Sequence, residues 1–315
     1  MLFGLYYLFV IRISSLLDML IKQRKKLYIF SATLVVGAIL CLAIFGLNLG
    51  IDFTGGALLS VEYKTPPTVD QVRGALNELK LSSFTAQKSG QNGFLIRTQD
   101  ISEENHQNII QALSVLGELK PDQEKFESIG PSIGQELKDK TRVVVILSLL
   151  CILVYVAFAF RKISKPVQSY VYGIAGLLAL CHDVLIPLGI FAVLGHYFSA
   201  EINIPLITAF LTVFGYSIND SVVVFDRVRE NLLTSKTTDF ETILDQSIKQ
   251  SATRSLNTAL TTIIALFCIL ILGGETLHWF ALALILGIGF GTYSSLFLAT
   301  PLVLTYEKFR KKKRD

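Results

Sequence analysis

The chain has 315 residues, of which 51% are hydrophobic and 17% charged, and its mean hydropathy is +0.53. Soluble domains carry about 25% charged residues, so this composition excludes a purely soluble protein and indicates an integral membrane protein. The formal net charge of +4 is modest, and we expect no nucleic-acid partner. The four cysteines fall in apolar segments and show no metal-ligand spacing with the four histidines, so we expect no disulfide framework, metal or organic cofactor.

The first 26 residues precede the first full-length apolar segment. Residues 2–13 are apolar except for Arg12, and they are too short to span a bilayer comfortably. No small-residue cleavage site follows them, so we do not expect a removed signal peptide. We interpret residues 1–26 as a cytoplasmic or interfacial segment. A re-entrant segment and a start codon assigned too early are the alternatives, and the role of residues 1–21 stays open.

Six segments are apolar and long enough to cross a bilayer as helices, which takes about 20 residues each. The predicted spans are 27–47, 141–160, 167–194, 203–225, 255–273 and 279–305. The predicted organisation is therefore one helix, an inserted domain at 48–140, five further helices in 141–305 and a basic tail at 306–315.

Lysine and arginine residues are concentrated in alternate connections. They are frequent before the first span, after the second and fourth spans and in the tail, whereas the short loops 195–202 and 274–278 contain none. Because basic residues are retained on the cytoplasmic side, this pattern places both termini in the cytoplasm and residues 48–140 on the other side.

The segment between the first two spans has the composition of a globular domain. Its predicted elements are a strand at 58–63, a helix at 69–79, strands at 84–88 and 94–98, a helix at 102–116 and a strand at 125–129. Thr68 is the N-cap candidate of the first helix. The β-α-β-β-α-β order predicts a small ferredoxin-like α+β domain. No nucleophile or acid–base pair stands out in it, so an interaction module is favoured over an enzyme.

Charged and polar side chains interrupt three of the apolar segments. They are His182 and Asp183 in the third span, Asn219 and Asp220 in the fourth, and Arg254 with Asn257 at the opening of the fifth. A charge in hydrocarbon costs several kcal/mol, so such residues predict a proton or ion relay, or a charge-coupled conformational switch.

Asp220 is the principal candidate for a proton site. It lies about 8 Å past the midpoint of its span at a rise of 1.5 Å per residue, within hydrocarbon but reachable from the cytoplasm. Arg254 enters the next span from that side at a matching depth, so we expect the two to pair when Asp220 is ionised. A structural carboxylate and an arginine that snorkels to the lipid headgroups are the alternatives.

Asp183 lies near the centre of the third span and is the second candidate for the proton pathway. His182 is adjacent, about 100° round the helix, so we expect the two side chains to face different partners. We interpret His182 as a motif residue. In the sixth span, Gly287, Gly289 and Gly291 predict close helix packing and not a site.

Four separated motifs carry a family resemblance. They are Leu-Gly-Ile-Asp-Phe-Thr-Gly-Gly at 49–56, Ala-Leu-Cys-His-Asp at 179–183, Gly-Tyr-Ser-Ile-Asn-Asp-Ser-Val-Val-Val-Phe-Asp-Arg-Val-Arg-Glu-Asn at 215–231 and Ser-Ala-Thr-Arg-Ser-Leu-Asn-Thr-Ala-Leu-Thr-Thr at 251–262. With the six-span layout, they resemble the SecD/SecF family from about residue 22 to the end. The Asn-Asp form of the third motif and the single small domain resemble the SecF branch.

The resemblance implies an accessory subunit of the Sec protein translocase in the bacterial cytoplasmic (inner) membrane. With SecD, such a subunit forms a twelve-span unit of the resistance-nodulation-division superfamily, which uses the proton motive force in late steps of export. It performs no covalent chemistry, and protons are its coupling ion. The implied partners are SecD, the SecYEG translocon with YajC, the exported unfolded polypeptide and membrane lipids.

The resemblance also assigns individual residues. The proton-pathway acid of the family falls on Asp220, and the arginine of its fifth span falls on Arg254. Asp52, Gly55 and Gly56 lie in the first motif, where the glycines let the chain turn from helix to strand. Asp52 is expected either to cap that turn or to contact the partner subunit.

Two functions from other classes remain as alternatives. A proton-coupled half-transporter for lipid or drug would need a substrate-lined cavity, which a domain of about 75 residues hardly provides. A structural scaffold of the translocon would tolerate a neutral isostere at every charge within the membrane. No G-x-x-x-x-G-K-[ST] sequence occurs, so any ATP requirement belongs to another subunit.

Overall fold

The computed structural model describes residues 23–313, except 80, 82, 100, 101, 121, 123, 160–166, 235–238 and 274. The predicted interfacial segment at the N-terminus therefore lies almost entirely outside the described residues. The chain divides into two compact units, one of which comprises residues 48–144 and 201–204. The other contains the remaining helical segments, and we call these the α+β unit and the helical unit.

Helices dominate the described chain, and its strands all fall between residues 56 and 129. In chain order, the elements are α1 (Arg24–Phe45), α2 (Ile51–Thr54), β1 (Gly56–Glu62), α3 (Val69–Glu78), β2 (Phe84–Ser89), β3 (Gly93–Thr98), α4 (Glu103–Ser114), β4 (Lys125–Ile129), α5 (Pro131–Ala159), α6 (Ser169–Phe198), α7 (Ile204–Thr234), α8 (Phe240–Leu272), α9 (Glu275–Ser294) and α10 (Thr300–Lys312). A π-helical turn at Ser295–Ala299 joins α9 to α10.

Six helical segments of the described chain are long and apolar enough to cross a membrane, which confirms the predicted number. They are α1, α5, α6, α7, α8 and the continuous run Leu277–Lys312. Several extend beyond the predicted spans: α5 begins at Pro131 and α7 ends at Thr234. The apolar pattern measures only the stretch that suits hydrocarbon, whereas the backbone hydrogen bonds of a helix continue through its polar ends.

Burial divides the long helices into two groups. In α6 and α7, half of the most apolar stretch is buried within the chain, compared with 11% in α1 and 6% in α5. The buried core between α6, α7, α8 and the π-helical turn includes Tyr172, Phe225, Leu244 and Leu296. A Cβ atom on Gly189 of α6 would lie 2.5 Å from Cα of Ala38, so the missing side chain allows α1 to pack closely there.

The α+β unit contains a four-stranded antiparallel sheet in the order β2-β3-β1-β4. The buried core includes alternate residues of β1 and β3 and apolar residues of α3 and α4, among them Leu59, Val61, Phe94, Leu76 and Leu113. With the β-α-β-β-α-β chain order, this topology confirms the predicted ferredoxin-like domain.

Local sequence explains where the first helix of this unit begins. The Thr68 hydroxyl accepts a hydrogen bond from the Gln71 amide at 3.3 Å, and Gln71 Oε1 accepts one from the Thr68 amide at 2.8 Å. This reciprocal capping box satisfies two amide groups that the helix itself leaves unpaired. Thr68 is thus the N-cap, as predicted.

The two glycines after α2 adopt backbone conformations that favour glycine. Gly55 has φ +73° and Gly56 has φ +120°. A Cβ atom on Gly55 would lie 2.8 Å from Cα of Pro131, and one on Gly134 would lie 2.8 Å from the Gly55 nitrogen. The glycines therefore let α2 pack directly on the first turn of α5 within the α+β unit.

Candidate functional site

Asp183, on α6, is completely buried and held by polar side chains from three helices. Its Oδ2 accepts hydrogen bonds from Ser217 Oγ of α7 at 2.5 Å and from Ser294 Oγ of α9 at 2.6 Å. His182 Nδ1 lies 2.9 Å from Asp183 Oδ1. Both carboxylate oxygens are thus engaged, and the side chain ties α6 to α7 and α9.

The prediction that His182 and Asp183 face different partners is wrong. The two side chains contact each other, and the His182 ring stacks on Tyr293 of α9 with ring centroids 5.9 Å apart. Asp183 also bonds to α9, through Ser294. A separation of about 100° around the helix axis still leaves both side chains on the broad face that packs against α9, and the imidazole turns back to the carboxylate.

Asp220, on α7, is 5% exposed, and its polar surroundings differ from those of Asp183. The side chains that interact with it are Ser255 of α8, Thr292 of α9 and Ser295 of the π-helical turn. Among the described residues, Asp220 Oδ2 and the hydroxyls of Ser255 and Thr292 are buried without a fully formed hydrogen bond. Donors therefore surround this carboxylate but do not hold it as they hold Asp183.

Arg254 lies one residue before Ser255 on α8 and attracts Asp220 electrostatically. No direct ion pair joins Arg254 to Asp220 within the described part of the chain. Arg254 instead lines a cavity of about 230 Å³ that is also bordered by Asp226, Gln250 and Ser251. The pairing of Arg254 with ionised Asp220 stays a prediction, and the opening that Arg254 lines beside the C-terminal half of α7 is bordered by both polar and apolar side chains.

Two further residues of the predicted site, Asn219 and Asn257, are less buried than Asp183 and Asp220. Asn219 is exposed, whereas its neighbour Asp220 is buried. Asn257 is half-buried on α8, where its backbone carbonyl accepts a hydrogen bond from Thr261 Oγ1 at 3.0 Å.

The contribution of α9 to both carboxylates was not predicted from the sequence. Thr292, Ser294 and Ser295 belong to the run Gly-Thr-Tyr-Ser-Ser at 291–295, which is unusually polar for a membrane span and could have indicated a site. A Cβ atom on Gly291 would lie 3.1 Å from Cβ of Ser217. Gly291 thus allows the approach of α9 to α7 that brings Ser294 to Asp183.

The surroundings of Asp183 and those of Asp220 are both built from helices α7 and α9. Ser217 and Asp220 are three residues apart on α7, and Ser294 lies between the Asp220 neighbours Thr292 and Ser295. The π-helical turn begins at Ser295, and Thr300 Oγ1 donates to the Ser295 carbonyl at 3.1 Å. Single π-helical turns often occur at functional sites. A change at either carboxylate therefore acts on the same pair of helices.

Asp52 caps a helix that is distant in sequence. Its Oδ2 accepts a hydrogen bond of 2.7 Å from the backbone amide of Ile204, the first residue of α7. The sequence predicted that Asp52 would cap the turn of its own motif or contact another subunit. The observed bond to Ile204 was not predicted, because a contact across 152 positions leaves no local signal in the sequence. A contact of Asp52 with another subunit stays a prediction.

The described residues contain no group of three or more His, Cys, Asp or Glu side chains that could hold a metal ion. All four cysteines are free thiols. The chemistry that these residues support is the gain and loss of a proton at a buried carboxylate, with a guanidinium and several hydroxyls as neighbours.

These features define a multi-pass membrane protein with an inserted α+β domain and buried ionisable groups among its helices. Residues 42–67 match the family described as SecD/SecF GG Motif, and residues 109–309 match the family described as Protein export membrane protein SecD/SecF, C-terminal. The chain belongs to the SecD/SecF family of protein export membrane proteins.

Relatives and solved structures agree with this membership. Protein translocase subunit SecF of Thermobaculum terrenum is 39% identical over 300 residues, which cover 91% of this chain and 93% of the relative. The SecF of Anaerolinea thermophila is 34% identical, with 91% and 94% covered. The crystal structure of SecDF from Thermus thermophilus, a translocon-associated membrane protein, superposes with a TM-score of 0.80 at 31% identity over 91% of this chain. The chain spans 38% of the length of that SecDF chain.

Proposed function

We propose that this chain is a subunit of the Sec protein translocase that uses the proton motive force, together with SecD, in late steps of protein export. Relatives named Protein translocase subunit SecF match over most of their own length. The observation that carries the proposal is the environment of Asp220, a buried carboxylate on a membrane helix with nearby hydroxyls and an arginine.

Asp220 is the proton carrier in this proposal. When it is ionised, Arg254 attracts it; when it is protonated, that attraction is lost, and the hydroxyls of Ser255 and Thr292 become its principal partners. In the proposal, water and protons approach through the cavity that Arg254 lines, and the position of Arg254 beside Ser255 supports this route. Moving one elementary charge through 100 mV is worth about 2.3 kcal/mol, which shifts a two-state helix arrangement by roughly 50-fold.

Asp183 has a different part in the same proposal. Three polar side chains hold it, so it positions α7 and α9 and transmits a shift between them, whereas Asp220 exchanges the proton. Asn219, exposed on α7, and Asn257, half-buried on α8, contribute to the polar surroundings of the site.

The placement in the cell and the partners complete the proposal. The protein lies in the bacterial cytoplasmic membrane with both termini in the cytoplasm, and protons are its coupling ion without any other cofactor or covalent catalysis. SecD supplies the second half of the membrane unit, and SecYEG with YajC supplies the translocon through which an unfolded polypeptide passes. The family membership supports the SecD partnership, and the basic flanks of the spans support the orientation.

The test compares export rates in membrane vesicles with and without a proton gradient, for wild type and Asp220→Asn. We expect the variant to lose the gradient-stimulated part of export, because the amide cannot take up and release the proton. Glu230→Gln is the matched control, since Glu230 lies on the same helix but is exposed and pairs with Arg227. Full gradient stimulation in Asp220→Asn would contradict the proposal and favour a structural scaffold.

A further inference from the structure

Residues 201–204 belong to the α+β unit and not to the helical unit, although the last of them is the first residue of α7. We define the joint as Glu201–Ile204 together with its contact residues Asn48–Asp52 and Arg97. The Ile202 amide donates to the Asn48 carbonyl at 2.7 Å, and the Gly50 amide donates to the Ile202 carbonyl at 2.8 Å. These bonds make Ile202 a parallel bridge partner of Leu49.

Side chains add two contacts to this backbone pairing. Asp52 Oδ2 accepts the amide of Ile204 at 2.7 Å, and a carboxylate at a helix N-terminus is also favoured by the helix dipole. Arg97, near the C-terminal end of β3, forms an ion pair with Glu201. Both side chains of this pair are largely buried, with 23% and 15% of their surfaces exposed. A largely buried ion pair is costly to break, because the remaining charge then lacks a partner.

The joint is also closely packed. Ile202 is 2% exposed and Ile51 is 4% exposed. A Cβ atom on Gly50 would lie 3.2 Å from Glu201 Oε2 and 3.3 Å from the Ile202 carbonyl oxygen. Glycine at this position therefore lets the two segments lie side by side, and close-packed groups shift together and not independently.

Helix α7 leads from the joint to the proton site. It runs without interruption from Ile204 to Thr234, so Asp220 lies sixteen residues from the joint, or about 24 Å along the helix axis. A rigid helix transmits a displacement of one end to the other. We propose that Asp52 and the Arg97–Glu201 pair are coupling residues that make the α+β unit move with α7. This proposal rests on the proposed role of Asp220.

The first experiment measures gradient-stimulated export for the charge reversals Arg97→Glu and Glu201→Arg, singly and combined, in the full chain with its partner subunits. We expect each single reversal to reduce the gradient-stimulated part at least fivefold with little change in gradient-independent export. The combined variant restores at least half of the stimulation, because opposite charges face each other again. Lys64→Glu is the control, since it reverses one member of the exposed Lys64–Glu118 pair of the same unit. Wild-type stimulation in both single reversals would overturn the proposal.

A second experiment covers the case in which a single reversal does not fold. The double variant Arg97→Cys/Glu201→Cys is made in a background without the four native cysteines, and a short thiol cross-linker joins the two positions. We expect low stimulation before cross-linking and recovery after it, since the joint stays closed while α7 moves. Loss of stimulation on cross-linking, reversed when the link is cleaved, would show that the unit must slide against α7 and would overturn the proposal.

The result for Asp220→Asn separates this proposal from the proposed function. If Asp220→Asn loses stimulation while the charge reversals keep it, the proposed coupling through the joint is wrong and the proposed role of Asp220 is supported. If Asp220→Asn keeps stimulation while the reversals lose it and the combined variant regains it, the proton site is wrong and the joint still connects α7 to the α+β unit.

Discussion

At the scale of single residues, Asp183 and Asp220 are both buried carboxylates, but their partners differ. Ser217, Ser294 and His182 engage both oxygens of Asp183. Asp220 lies among hydroxyls that do not complete their hydrogen bonds to it. A fixed carboxylate stabilises one arrangement of helices, whereas a loosely held one can change its protonation state at lower cost to the fold. This contrast is the reason that the proposed function gives positioning to Asp183 and proton exchange to Asp220.

We expect Asp183→Ala to lower the free energy of unfolding by about 2 kcal/mol, because the buried hydroxyls of Ser217 and Ser294 lose their acceptor. Thermal unfolding of the purified protein in detergent measures this effect. Asp226→Ala serves as the control and is expected to change stability by less than about 0.5 kcal/mol, since its side chain is 69% exposed. Equal stability of the two variants would show that the Asp183 hydrogen bonds contribute no net stabilisation.

At the scale of elements, small residues decide how closely the membrane helices approach. Gly189 of α6 faces the backbone of α1, Gly287 of α9 faces Val213 of α7, and Gly291 faces Ser217. An added Cβ atom on Gly289 would have no other atom within 4 Å. The predicted close packing therefore applies to Gly287 and Gly291 and not to Gly289. In a bilayer, close backbone approach replaces the hydrophobic effect as the main source of helix association.

Gly189→Ala is expected to destabilise the protein by about 1–3 kcal/mol, because its Cβ would lie 2.5 Å from both Cα and Cβ of Ala38 and neither atom can move without the backbone. Gly289→Ala is the matched control: it adds the same methyl group to a helix in open space and is expected to be neutral or slightly stabilising. Unfolding in detergent with a denaturant series compares the two. If Gly289→Ala lost as much stability as Gly189→Ala, the loss would follow from an added methyl group on any of these helices and not from the contact between α1 and α6.

At the scale of the whole molecule, the exposed apolar surface lies mainly on the helices with the least internal burial. On α5, Ile146, Leu150, Val154 and Phe158 are all more than half exposed. Such a surface would promote aggregation in water, but it suits a helix surrounded by hydrocarbon. The chain thus combines a water-compatible α+β unit with a helical unit whose outer surface requires a membrane.

The orientation that we propose predicts a specific pattern of protease access in cells. A cleavage site inserted at the Gly90 turn between β2 and β3 is expected to be cut from the non-cytoplasmic side of intact spheroplasts. A site appended after the basic C-terminal tail should be cut only after the membrane is opened, because basic flanks remain in the cytoplasm. Immunoblotting of the fragments reads the outcome, and the reverse pattern would contradict the assignment of both termini to the cytoplasm.

Periodicity and composition determined the six spans, the order of elements in the ferredoxin-like domain and the Thr68 cap, because each depends on residues within a few positions of one another. The buried acids could also be located, since a charge within a long apolar segment is visible in one dimension. Only the tertiary structure decided which hydroxyls face which carboxylate, that Asn219 is exposed while Asp220 is buried, and that His182 contacts Asp183. It also decided that Asp52 caps α7 across 152 positions. These contacts join segments that are distant in the chain, and the packing of complementary surfaces, which determines them, has no local period from which it could be inferred.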